Sequence, residues 1–315
     1  MKNLNKINTM NELLSVEHFS VSFTQNYGLW KSRELPVIQD LSLTVHAGEM
    51  VAVVGSSGSG KSLLAHGIMG LLPRNASWQG TLLYRGQELN QKLWKTLRGR
   101  KLVLVPQSVS YLDPLMNAGE QIRNGRKDKE TKKNAAQVLA RYGLKEETEK
   151  LYPFELSGGM TRRILISTAV MESPDLVIAD EPTPGLHLEA AKRVLSHFRE
   201  IADQGAGVLL ITHDLPLALE TADRIIVLYA GTTMEEAAAE DFQSEARLRH
   251  PYTKALYRAM PEHAFQETPG TQPFASDLPL GCPYAPRCEY SEDLCKHPAN
   301  YRSVKGGKVR CWKSI

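Results

Sequence analysis

Residues 55–62 read Gly55-Ser56-Ser57-Gly58-Ser59-Gly60-Lys61-Ser62. This is an instance of G-x-x-x-x-G-K-S/T, in which glycines let backbone N–H groups turn inward around a polyphosphate. Average composition gives a chain of this length such a match roughly once in a hundred, so the flanking residues decide its meaning. Glu49-Met-Val-Ala-Val-Val54 reads as a buried strand, and Leu63-Leu-Ala-His-Gly-Ile-Met69 reads as a helix. The start of that helix adds partial positive charge, with Leu63 in its first turn. In this frame Lys61 reaches the β and γ phosphates and the Ser62 hydroxyl ligates magnesium. A flexible Gly/Ser linker does not sit between an apolar strand and an apolar helix. The loop therefore predicts a nucleoside-triphosphate site.

Three further groups have matching chemistry. Asp175-Leu-Val-Ile-Ala-Asp180-Glu181 is an apolar run ending in two carboxylates. At a strand end beside a phosphate loop, Asp180 can hold magnesium, directly or through water, and Glu181 can polarise the attacking water as general base. Leu156-Ser157-Gly158-Gly159-Met160 places two glycine N–H groups and a serine hydroxyl at a helix start, which makes a second anion-binding turn. Gln107 and His213 each follow an apolar strand, within Pro106-Gln107 and Thr212-His213-Asp214.

These groups need a scaffold. Strands are predicted at Leu41–Val45, 101–105, Leu176–Ala179 and Val208–Thr212, with helical spacing between them, so the fold is α/β around a mainly parallel sheet with helices on both faces. The basic run Arg126-Lys-Asp-Lys-Glu-Thr-Lys-Lys133 reads as the solvated start of a helix. The chain has 315 residues, enough for about two domains, and a formal charge of +3, which gives no bulk field toward nucleic acid or acidic lipid. No run approaches the ~20 apolar residues of a membrane span. The first ten residues lack an apolar signal segment, and Met10 is an equally good start. A cytosolic setting follows, where cysteines are more often ligands than disulfides. All four cysteines fall late, at Cys282, Cys288, Cys295 and Cys311, after a proline-rich stretch that reads as a separate loop-rich module.

Taken together, the loop at 55–62, Leu156–Met160, Asp180-Glu-Pro-Thr183, Gln107 and His213 resemble an ATP-binding cassette (ABC) ATPase in order and spacing, from about Leu14 to Gly231. The resemblance implies a P-loop NTPase core over residues 11–231, with an antiparallel β subdomain and a helical subdomain at 108–156. It implies that the Leu156–Met160 signature faces the ATP of a second ATPase subunit, that His213 is the switch histidine, and that Gln107 couples magnesium to the helical subdomain. It places Phe23 against adenine, with Tyr27 and Trp30 as rivals. Two departures stand out. His187 replaces the usual D-loop aspartate in Pro184-Gly-Leu-His187, and Arg162 replaces the usual glutamine after the signature.

Beyond the core, Gln107-Ser-Val-Ser-Tyr-Leu-Asp-Pro114, His250-Pro-Tyr-Thr253 and Gly281-Cys-Pro-Tyr-Ala-Pro-Arg-Cys288 resemble the dipeptide/oligopeptide/nickel importer ATPases. That resemblance implies a peripheral protein on the cytoplasmic face of the inner membrane. Its partners would be a related ATPase subunit in a heterodimer, two transmembrane permeases and an extracytoplasmic solute-binding protein, with no nucleic acid. ATP and Mg2+ are the implied substrate and cofactor, and peptides, nickel or metal chelates the solutes. In the extension at 232–315 the spacing C-x5-C-x6-C-x15-C lacks the short knuckle of structural zinc. It suits an iron–sulfur cluster of the 4Fe-4S type better, with zinc or unligated thiols as alternatives. Competing readings are a weakly hydrolytic regulatory subunit, motivated by His187, and a soluble ABC protein acting on ribosomes or nucleic acid.

Overall fold

The computed structural model describes residues 11–27, 31–263 and 265–313. Two long strands, β1 (Glu12–Tyr27) and β2 (Lys31–His46), pair antiparallel. Leu41, Leu43 and Val45 are buried while Ser42 and Thr44 are half-buried, as the sequence alternation requires. Strand β4 (Ala76–Tyr84) pairs with β1, and the short β5 (Gln87–Glu88) with β4, giving a four-stranded antiparallel sheet in the order β2-β1-β4-β5.

The second sheet carries the chemistry. Strands β3 (Met50–Gly55), β6 (Leu102–Val105), β7 (Leu176–Asp180), β8 (Gly207–Thr212) and β9 (Arg224–Tyr229) run parallel in the order β9-β3-β8-β7-β6. Their near-continuous apolar sequences reflect burial on both faces. On one face Met50, Ala52, Val54, Val208 and Leu210 meet the helices α5 (Gly158–Val170) and α6 (Leu188–Asp203). On the other, Val51, Val53, Leu209 and Ile211 meet helix α1 (Lys61–Ile68), helix α2 (Gln91–Leu97) and the antiparallel sheet. One covering layer is thus helical, whereas the other is partly sheet. Truncating a buried residue of the central sheet, such as Leu210→Ala, costs about 2–5 kcal/mol by cavity formation.

Between β6 and β7 lies the mainly helical segment, with α3 (Ala118–Ile122), α4 (Lys129–Arg141) and the start of α5. Ile122, Ala135, Leu139 and Tyr142 pack with Ile164 and Leu165, so this segment shares a core with the helical face of the sheet. The basic run opens α4: Asp128 caps it by accepting from the Thr131 N–H at 2.8 Å, while Lys129, Lys132 and Lys133 are exposed.

The chain beyond residue 231 is bonded into the same sheet. Strand β10 (Thr232–Ala238) pairs antiparallel with β9, and β12 (Gly307–Arg310) pairs with β10. Strand β11 (Tyr301–Val304) closes the order β11-β12-β10-β9-β3-β8-β7-β6. The helices α7 (Leu215–Leu219) and α8 (Pro251–Arg258) complete the set. The stretch read as a separate loop-rich module is therefore joined to the core by backbone pairing.

Candidate nucleotide site

Strand β3 ends at Gly55, whose backbone runs so close to the Leu228 carbonyl that a Cβ there would collide with it. Gly58 and Gly60 take φ of +79° and +88°, a left-handed conformation that side chains disfavour. At Gly60 an added Cβ would also stand 2.8 Å from Ile38 Cγ1. The loop thus needs glycine at the positions the motif specifies. Residues Ser57, Gly58, Gly60, Lys61, Ser62 and Leu63 line a cavity of about 520 Å3 with Gln107, Glu181 and His213. Val37, which no motif marks, lines it as well.

Lys61 is buried, and its Nζ folds back to donate to the Gly55 carbonyl at 2.7 Å and the Ser56 carbonyl at 2.9 Å. Burial lowers its pKa, and the carboxylates of Glu181 and Asp180 act in the opposite direction. Those carbonyls hold the ammonium where a phosphate oxygen can replace them. The Ser62 hydroxyl donates to Asp180 Oδ1 at 3.2 Å. Asp180 is raised above the usual aspartate range chiefly by burial, with the neighbouring Glu181 adding to the effect. A serine oxygen and a carboxylate in contact are hard oxygen donors, which suit magnesium.

Glu181 adopts φ of +47°, unusual for a residue with a side chain and costing on the order of 1–3 kcal/mol of backbone strain. Its N–H donates to the Ile211 carbonyl at 2.9 Å, which fixes the turn at the end of β7. His213 Nδ1 lies 2.9 Å from Glu181 Oε1, while Glu181 Oε2 is buried without a hydrogen-bond partner. The carboxylate thus has an oxygen whose hydrogen-bonding capacity no protein group uses, as a general base requires.

Ser59 is buried and turned inward, whereas the Ser56 hydroxyl donates to the Gln272 side-chain oxygen. Tyr252 also hydrogen-bonds Ser56, and burial pushes its hydroxyl pKa up to about 12. Gln272 and Tyr252 both lie more than 190 residues downstream; Tyr252 falls in the His250-Pro-Tyr-Thr253 motif, whereas Gln272 carries no motif signal. Phe23 is half-buried on β1, packs on the core beside α1 and does not line the cavity. Trp30 and the Tyr27 side chain fall outside the described residues.

The signature stretch lies elsewhere. Ser157 caps α5, accepting from the Met160 N–H at 3.4 Å, and both Ser157 and Gly158 are exposed. None of Leu156, Ser157, Gly158, Gly159 or Met160 lines the phosphate-loop cavity. Behind them, buried Arg162 donates to the carbonyls of Pro106 at 3.0 Å and Gln107 at 2.6 Å. His187 begins α6 as an exposed residue whose side chain makes no capping bond.

The four cysteines are unpaired and half-buried. Gly281 allows the Cys282 N–H to donate to the Cys295 carbonyl at 2.9 Å, because a Cβ there would strike the same carbonyl. Burial pushes the thiols of Cys282 and Cys311 up to about 11, and each also feels the charge of the other cysteines. Thiols with raised pKa are poor ligands until a cation lowers them. Among the described residues no group of three or more His, Cys, Asp or Glu is placed to hold a metal ion. The soft donor set suits a cluster, yet its placement does not form a closed ligand shell.

The parallel sheet, phosphate loop and carboxylate-tipped β7 define an ABC-type P-loop ATPase. Residues 38–184 match the family model described as ABC transporter, and residues 234–295 match the oligopeptide/dipeptide transporter C-terminal region. The dimeric cassette MJ0796 aligns with a TM-score of 0.63 and 25% identity, covering 72% of this chain and 99% of that one. The oligopeptide transport ATP-binding protein OppD of Salmonella typhimurium is 33% identical, covering 97% of this chain and 95% of that protein. The dipeptide transport ATP-binding protein DppD of Bacillus subtilis is 33% identical over 96% of this chain and 95% of its own length. The chain belongs to the oligopeptide/dipeptide branch of the ABC transporter ATP-binding family, and is an ATPase of the transport-coupled kind.

Proposed function

We propose that this chain is the ATP-hydrolysing subunit of a multi-subunit importer that takes up peptides through separate permease subunits. The observation that carries the reading is the convergence of Lys61, Ser62, Gln107, Glu181 and His213 on one cavity, while the signature turn points outward. That division suits a second ATPase subunit whose nucleotide is closed over by Ser157, Gly158 and Gly159. Relatives matched along nearly the whole chain are named for oligopeptide or dipeptide transport, so peptide is the solute of this reading rather than nickel or a metal chelate. Among the described residues no helix is long and apolar enough to cross a membrane, which fits a pore built by two permeases. A solute-binding protein outside and a related ATPase partner complete the assembly. The chain itself sits on the cytoplasmic face of the inner membrane.

In this mechanism ATP displaces the carbonyls that hold Lys61, and the ammonium moves onto the β and γ phosphates. Mg2+, when bound through Ser62, Asp180 and Gln107, neutralises phosphate charge. Glu181 takes the proton of the attacking water, and His213, beside Glu181 Oε1, steadies the γ phosphate. Phe23, or a neighbouring aromatic, stacks on adenine. ATP binding closes the dimer and hydrolysis reopens it, which drives the permeases between two conformations.

The test is reconstitution of the complex in vesicles. ATP-dependent peptide accumulation that stops with Glu181→Gln is expected. Failure of the chain to co-purify with permeases, or the absence of nucleotide at the seam of the ATPase pair, overturns the reading. Cysteine spacing remains our ground for an iron–sulfur cluster, with zinc the alternative, and no catalytic step passes through either. Iron, sulfide and zinc analysis with visible absorption of anaerobically purified protein decides between them.

A further inference from the structure

A second cavity, of about 550 Å3, lies between α5 and α6, away from the phosphate loop. Arg163, Arg193, His187 and His197 line it together with Tyr142 and Leu186, and no carboxylate does. Arg163 is held in place by carbonyls, donating to Gly159 at 3.1 Å, Tyr142 at 3.1 Å and Gly143 at 3.2 Å. It therefore brings a positive charge that no lining acid neutralises. Arg193 is exposed on α6 and makes no ion pair among the described residues.

The cavity floor is polar and unsatisfied. His197 is 9% exposed; its Nδ1 pairs with Glu200 Oε2 at 3.6 Å, and its Nε2 has no hydrogen-bond partner. Tyr142 is 1% exposed, and its hydroxyl is also unpartnered. The two rings meet edge to face with centroids 4.6 Å apart. Buried polar groups are seldom left without partners, and those that are usually await a ligand or a water. Two guanidinium groups on the wall, the buried rings of Tyr142 and His197 and the apolar side of Leu186 suit an acceptor-rich anion attached to an apolar body.

We propose that this cavity is a binding site for a small organic anion, a phosphate or carboxylate on a compact apolar or aromatic group, separate from the phosphate loop of this chain. It is bounded by Gly159 of the signature turn and His187 of the turn before α6, so an occupant would fix the spacing of those two turns.

The probe is phenyl phosphate, titrated calorimetrically into the full-length chain with the phosphate loop saturated by MgADP. Inorganic phosphate and phenol serve as the charge-only and body-only comparisons. We expect saturable binding of phenyl phosphate, weaker binding of either comparison, and a loss of about tenfold or more in Arg193→Ala, as for a charge-assisted hydrogen bond. His197→Phe keeps an aromatic ring and removes both ring nitrogens, and is expected to weaken binding similarly. Arg193→Ala is an exposed change and leaves the fold intact. Absence of saturable binding, unchanged affinity in both variants, or loss of binding on Lys61→Ala, which would place the probe in the phosphate loop, overturns the proposal.

Discussion

The Arg162 guanidinium donates to the backbone carbonyl of Gln107 at 2.6 Å, tying the signature helix to the loop that follows β6. A second N–H reaches the Pro106 carbonyl at 3.0 Å, and the side chain is buried. Where the family resemblance implies glutamine, this chain therefore holds a fixed cation against two carbonyl dipoles. The backbone of a cavity-lining residue is thereby tied to the helix that begins at the signature turn.

Arg162→Ala should leave the buried Pro106 carbonyl unpaired and the part-exposed Gln107 carbonyl without its charged donor. The expected loss is about 2–4 kcal/mol in urea unfolding, from two unmet hydrogen bonds. Arg162→Gln should recover part of it by donating to one carbonyl. A denaturation midpoint equal to wild type in the alanine variant would refute this coupling.

Glu181→Gln preserves side-chain shape but removes the proton acceptor. ATP binding should persist, while phosphate release by the assembled complex falls by about a hundredfold or more, the usual contribution of a general base. Release at the wild-type rate would show that another group activates the water.

His187 supplies no carboxylate at the turn before α6. His187→Asp should raise turnover of the assembled complex if a D-loop carboxylate assists hydrolysis, and should leave stability unaltered because the residue is exposed and its side chain caps nothing. If His187→Asp and wild type hydrolyse ATP at the same rate, the D-loop difference has no catalytic weight.

His250 should contribute to the acid limb of stability. It is fully buried at the start of α8, where Nδ1 accepts from the Tyr252 N–H at 3.0 Å, and burial alone pushes its pKa down from 6.5 to about 3. The unfolded chain binds a proton near 6.5 while the folded chain refuses it. The stabilisation is therefore complete above 6.5 and is lost as the pH falls toward about 3. Within that window the slope contributed is up to about 1.4 kcal/mol per pH unit. His250→Asn retains a capping side chain without the titration, so its stability should decline less steeply between those limits in thermal melts. Parallel pH curves for the two proteins would exclude His250 as the cause.

Much of the nucleotide site was legible because its residues are local and typed. Gly58, Gly60, Lys61 and Ser62 sit in one loop, and Asp180 and Glu181 cap one apolar strand, so strand–loop–helix context alone placed them. Contacts between distant segments left no such trace. Nothing in the polar run around Gln272 marks it as the acceptor of the Ser56 hydroxyl, and Val37 reaches the cavity only because β2 folds over the loop. Arg162 was visible as a departure, yet its carbonyl partners depend on how α5 packs behind β6. The hairpin of β11 and β12 escaped notice because Tyr-Arg-Ser-Val and Gly-Lys-Val-Arg are too short and too charged to carry a period of two.

That hairpin has a practical consequence. With Glu235 registered against Val309 and Glu236 against Lys308, the outer rim of β10 is shielded from solvent and from neighbours. Shortening the polypeptide ahead of Tyr301 to remove the cysteines would strip that cover and leave amides and carbonyls seeking a strand from another molecule. Such a truncated product should clump on concentration, and a serine-substituted full-length form is the safer route to a cysteine-free ATPase.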